Sequence, residues 1–131
     1  MVTNHYFRII GVVLALLVAG CGRIQTDQPA DAADISVEFS VEPVDPIVGP
    51  AQLLITVIGP NGQPIDNATL DIEGNMTHAG MTPVFAQATG GDNGQYVVPF
   101  EWTMGGNWIV TVELVLDDGQ VVTREFPVVV E

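Results

Sequence analysis

Lysine is missing from this 131-residue chain, and its basic side chains, Arg8, Arg23 and Arg124, face 16 acidic ones for a formal net charge of -13. That balance excludes nucleic acid as a partner, because holding a phosphate backbone takes clustered Lys and Arg. It also opposes adsorption to anionic headgroups, and leaves a cation as the small partner that the surface attracts. Cysteine is nearly missing too. Cys21 stands alone, so no intramolecular disulfide is possible and the fold must rest on packing. Histidine is reduced to His5 and His78, and serine to Ser36 and Ser40. A nucleophilic triad needs a base beside an activated nucleophile, and both serines fall on a regular alternating stretch without a nucleophile turn. The carboxylates are scattered along strand-like segments and suggest no glycosidase-like pair. The sequence thus reads as a binding protein and not as an enzyme. Long apolar runs are missing as well: Ile9 to Gly20 falls short of the about 20 residues that a membrane-crossing helix needs.

What is present begins with that short run. Arg8 precedes it and the small pair Ala19-Gly20 follows it, the order of an export signal: charged start, apolar middle, small-residue cleavage site. The segment Leu17-Val18-Ala19-Gly20-Cys21 resembles the lipobox of bacterial lipoproteins. The resemblance implies cleavage before Cys21, acylation of that cysteine, and anchoring in the cell membrane on its extracytoplasmic side. Two or more acyl chains give the stable attachment that one chain does not. An uncleaved signal anchor, or a secretory signal with a chance cysteine, is the competing reading. Residues 1–20 are accordingly expected as a signal-peptide helix, and 21–34 as the lipidated cysteine with a flexible linker. The polar, Ala/Asp-rich stretch from Gly22 to Asp34 lacks apolar periodicity. Extended, it reaches roughly 40 to 45 Å.

From Ile35 onward the period switches to two. Ile35, Val37, Phe39 and Val41 alternate with Ser36, Glu38, Ser40 and Glu42, the pattern of a strand with one wet face. Similar runs at 52–58, 68–73, 84–89, 95–102, 108–116 and 120–130 bring the expected strands to seven. Turn residues separate them: Pro60-Asn61-Gly62, the 90–94 cluster, Gly105-Gly106-Asn107, and Asp117-Asp118-Gly119 as a hairpin signal. Tyr96, Val98, Phe100 and Trp102 share one face; Trp108, Val110, Val112, Leu114 and Leu116 share another. Two such faces close a core, so residues 35–131 predict an all-β, seven-stranded immunoglobulin-like β-sandwich. Pro99 and Pro127 cannot donate to a ladder and are expected at edges or bulges.

The order of features from Pro43 to Leu114 resembles the YtkA-like domain, a relative of the FixH-like domains. The matching parts are a Pro-Gly approach to the second strand and the GPNGQPIDNATLDI hairpin. A loop with Met and His, the Gly94-Gln95-Tyr96 strand start and the MGGNW turn from Met104 to Trp108 follow. The resemblance implies an exported immunoglobulin-like domain, often lipid-anchored, associated with copper handling or heavy-metal efflux.

The residues that carry this chemistry are few. The loop 75–83 (NMTHAGMTP) holds Met76, His78 and Met81, and Met104 sits in the other recognisable turn. Thioether sulfur and neutral imidazole are soft to intermediate donors that favour Cu(I) over Zn(II), Mg(II) or Ca(II). Gly80 allows the loop to curl so that Met76, His78 and Met81 converge, with Met104 as fourth donor if the two turns share one end of the sandwich. The bland alternative is that the methionines fill gaps in a small core and His78 is merely solvated. A second functional class is a metal-free interaction module that docks onto an envelope protein complex for oxidase assembly or efflux. Asp92-Asn93-Gly94 and Asp117-Asp118-Gly119 lack the ligand series of a calcium loop and read as turns. Trp102 and Trp108 read as core rather than as a ligand platform. Asn67-Ala68-Thr69 and Asn75-Met76-Thr77 match the glycosylation pattern by chance.

Overall fold

In a computed structural model the described residues are 32–131; the expected signal peptide, Cys21 and the linker up to residue 31 lie outside them. A 3-10 turn, Ala32–Asp34, leads into seven strands: β1 (Ser36–Glu42), β2 (Gly49–Ile58), β3 (Thr69–Met76), β4 (Val84–Thr89), β5 (Gln95–Trp102), β6 (Gly106–Val115) and β7 (Val121–Val130). They form two antiparallel sheets, β1-β2-β5 and β4-β3-β6-β7. Compared with the constant-type immunoglobulin arrangement, in which the fourth strand lies beside the fifth, β4 has moved to the opposite sheet. The expected all-β immunoglobulin-like sandwich is what forms. No helix among the described residues is long and apolar enough to cross a membrane.

Alternation becomes burial where both neighbours of a strand are present. In β5, Tyr96, Val98, Phe100 and Trp102 point inward, and Trp108, Val110, Val112 and Leu114 of β6 meet them from the other sheet. Trp102 and Trp108 are core residues, in edge-to-face contact with ring centroids 5.3 Å apart. β1 lies at a sheet edge and its inward residues are only half-buried. Phe39 closes that open flank by stacking on Phe126 of β7 at 4.7 Å, a geometry favourable for aromatic pairs.

The prolines sit where a missing N–H does least harm. Pro99 and Pro127 occupy the edge strands β5 and β7. Pro50 falls in the central strand β2, but the β1 ladder stops at the pair Glu42–Gln52, so at Pro50 only β5 is alongside. Three expected boundaries move by two residues or more. β2 starts at Gly49, ahead of the expected 52; β6 starts at Gly106, ahead of 108; β3 runs on to Met76, beyond 73. The last shift takes Met76 out of the loop and into the ladder, paired with Trp108.

The strand directions sort the connections between two ends. The entering chain and the loops 59–68, 90–94 and 116–120 share one end, here the near end. Arg124 closes it by donating from Nη2 to the carbonyls of Ala32 (2.9 Å) and Ile35 (3.3 Å). Tyr96 also serves the near end, donating its hydroxyl to Ile65 O (2.8 Å) and accepting from Ala68 N (3.1 Å). The far end collects the loops 43–48, 77–83 and 103–105 together with Glu131.

Candidate metal centre at the far end

The far end joins the two methionine-bearing turns. Met76 pairs with Trp108 in register, and one residue beyond the ladder Thr77 N donates to Asn107 O at 3.0 Å. Gly106 brings the turns closest: a Cβ there would lie 2.9 Å from Met76 Cε, and its φ of +129° is a conformation that side chains oppose. A glycine is therefore required, and the thioether end of Met76 lies directly under the turn that carries Met104. Trp108 fixes that turn from below, its Nε1 donating to Met104 O at 3.0 Å. Gly80, at φ +83°, turns the 77–83 loop through the left-handed region with open space around it.

The four sequence-derived candidates differ in access. Met76 is 9% exposed and belongs to the core cluster, whereas Met104 is 46% exposed. His78 is exposed, and Met81 is half-buried against the core. The four candidates thus lie at the far end with different access: His78 and Met104 exposed, Met81 half-buried, Met76 buried. Cys21, the lipidation candidate, lies outside the described residues. Among the described residues no three His, Cys, Asp or Glu side chains come together to hold a metal ion; the far end carries the thioether sulfurs of Met76, Met81 and Met104 and the imidazole of His78. That donor set is suited to a soft monovalent cation.

Behind the rim stands an aromatic wall. Phe100 meets Trp102 edge-on at 4.9 Å, and Trp102 meets Trp108. The buried Trp102 Nε1 has no acceptor among the described residues, at a cost of about 1–3 kcal/mol for an unpaired buried donor. Sequence reasoning did not single out the 43–48 loop at this end, where Val44, Ile47 and Val48 are exposed. Their only sequence signal is three aliphatic residues in a Pro-bounded segment without alternation.

No curated protein matches the chain. Among solved structures it is similar to the soluble domain of PmoD from Methylocystis sp., at 16% identity, with 72% of this chain and 90% of that chain covered and a TM-score of 0.48. The YtkA-like family model matches residues 27–113, from within the expected linker into β6. With the greater part of its length matched, and with the sandwich, hairpin and MGGNW turn in the places described, the chain belongs to the YtkA-like family.

Proposed function

We propose that this protein is a lipid-anchored, extracytoplasmic domain that holds a Cu(I) ion at its far end, without catalysis of its own. The observation that supports the reading is that the strand directions put all three methionines of the described residues and His78 at the far end, with Met76 Cε beside Gly106, two residues after Met104. His78, Met81 and Met104 supply the accessible donors. Met76 joins them by a rotation of its flexible thioether, which already abuts Gly106. Family membership supports the copper association, and the acidic surface raises the local concentration of cations within about 8 to 10 Å at ordinary salt.

Competition against a chromogenic Cu(I) chelator tests the donor assignment. Wild-type protein is expected to withhold one equivalent of Cu(I) from the chelator. His78→Ala, Met81→Ala and Met104→Ala should each weaken retention by about tenfold or more, the equivalent of roughly 1.4 kcal/mol. If His78→Ala and Met81→Ala hold copper as well as wild type, the site is elsewhere or does not exist.

A further inference from the structure

The far end carries more apolar surface than a rim for one ion requires. Val44 is 85% exposed, Ile47 59% and Val48 50%, and Met104 stands in the adjacent turn. Hydrogen bonds make these neighbours: Glu131 N donates to Pro46 O at 2.9 Å, and Val48 N donates to Glu131 O at 3.2 Å. Gly105, next to Met104, lies against Val130 O and Glu131 on the other side. The patch continues round the edge into a shallow depression lined by Pro43, Val44, Pro50 and Pro99. Exposed aliphatic side chains gathered at one end of a domain fit a contact site.

The border of the patch decides what fits it. Glu42 flanks the depression. Asp45 lies within the loop and Glu101 sits opposite Pro50 in the ladder, both exposed, and Glu131, exposed as well, is bonded through its backbone to Pro46 and Val48. No basic side chain offsets them, since Arg124, the only one among the described residues, is bound at the near end. A second copy of this chain would set four carboxylates against the same four, and an anionic lipid surface would be repelled likewise.

We propose that the far end is a docking face for a protein surface with an apolar centre and a Lys/Arg border. The first described residues stand at the near end, so in a molecule anchored through the chain before them this face lies at the end opposite the attachment. For that orientation alone the proposal rests on the function proposed above. Docking itself requires no copper. Apolar contact supplies the affinity, and the carboxylate border sets encounter rate and discrimination.

The test uses the full chain in nanodiscs of uncharged lipid, without metal, observed by amide NMR. An amphipathic helical peptide with a leucine face bordered by lysine and arginine is titrated in, with the same peptide bordered by glutamate as counterpart. Saturable shifts are expected at 43–48 and 103–106 with the basic peptide only, weakening as salt rises. Ile47→Ser should reduce affinity about tenfold. The pair Asp45→Lys with Glu101→Lys should reverse the preference between the two peptides. Repeating the titration on His78→Ala with Met81→Ala should leave it unchanged, so that docking and copper binding fail or stand separately. Equal binding of both peptides, shifts confined to other faces, or shifts at 43–48 on adding anionic vesicles or on raising the protein concentration would overturn the proposal.

Discussion

Replacing Gly74 with alanine adds one methyl group to the interior of β3 at the place where the aromatic wall comes nearest. A Cβ there would lie 2.6 Å from Phe100 Cζ, with Phe100 Cε1 at 3.4 Å and Trp108 Cε3 at 3.5 Å. Carbon atoms rest comfortably at about 3.5–4.0 Å, so the ring must retreat by about 1 Å. Its retreat is blocked: Phe100 abuts Trp102 at 4.9 Å and Trp102 abuts Trp108 at 5.3 Å, all of them buried. Overpacking of a well-packed core costs about 1–3 kcal/mol, offset by the roughly 0.4–1 kcal/mol that alanine gains over glycine through the unfolded chain. The central values leave a net loss of about 1.3 kcal/mol, which lowers Tm by roughly 5–10 °C for a domain of this size. Thermal unfolding followed by near-ultraviolet circular dichroism reads it, since the packed tryptophans dominate that signal. Phe100→Leu in the same chain should recover about 1 kcal/mol relative to additivity, because the added methyl then has room. A Tm within 2 °C of wild type, or strict additivity of the two changes, would refute this account of the wall.

Two further outcomes follow from the same framework. The Tyr96 pKa is raised above its ordinary value by burial first, with the charge of Asp66 adding and the hydrogen bond from Ala68 N opposing. Between the unfolded and folded pKa the folded state holds a proton that the unfolded chain has released, so Tyr96 contributes stability that is full below the unfolded value near pH 10 and lost as pH rises through the folded one. Tyr96→Phe should remove that alkaline slope and cost about 1–3 kcal/mol at neutral pH, because Ala68 N and Ile65 O lose their partner. Denaturant titrations at pH 7 and above pH 10 check both. On the outer face of the larger sheet Asp71 stands directly across from Glu113, an arrangement that destabilises by about 0.2–1 kcal/mol. Glu113→Gln should therefore raise the denaturation midpoint at low ionic strength, and the gain should shrink at high salt.

The period-two signal made most of the sandwich legible. Tyr96, Val98, Phe100 and Trp102 go inward together because each position two residues on returns to the same face, and Asp117-Asp118-Gly119 turns β6 into β7 because glycine accepts the φ of +85° required there. The end of β3 was not legible. Gly74 and Asn75 are residue types depleted from strands, so the sequence predicts a break after Glu73, yet Gly74 is there because Phe100 and Trp108 occupy the space a side chain would need. Nor could spacing tell that Met76 faces the core while Met104 faces out, since Met76 reads as a loop residue until β3 is seen to run on to it. The apolar 44–48 loop has no alternation to betray it, and it is held in place by backbone bonds to Glu131, far along the chain. Tyr96 was legible as core but not as the residue that ties down Ile65 and Ala68, because a long-range hydrogen bond leaves no mark on periodicity.

X-ray absorption at the copper edge of the Cu(I)-loaded protein bears most directly on the proposed centre. A shell of sulfur scatterers together with one imidazole, the imidazole lost in His78→Ala and the sulfur contribution reduced in Met81→Ala and Met104→Ala, is the predicted result. Copper that is substoichiometric after loading and desalting, or that shows only oxygen and nitrogen neighbours unaffected by these substitutions, would contradict it.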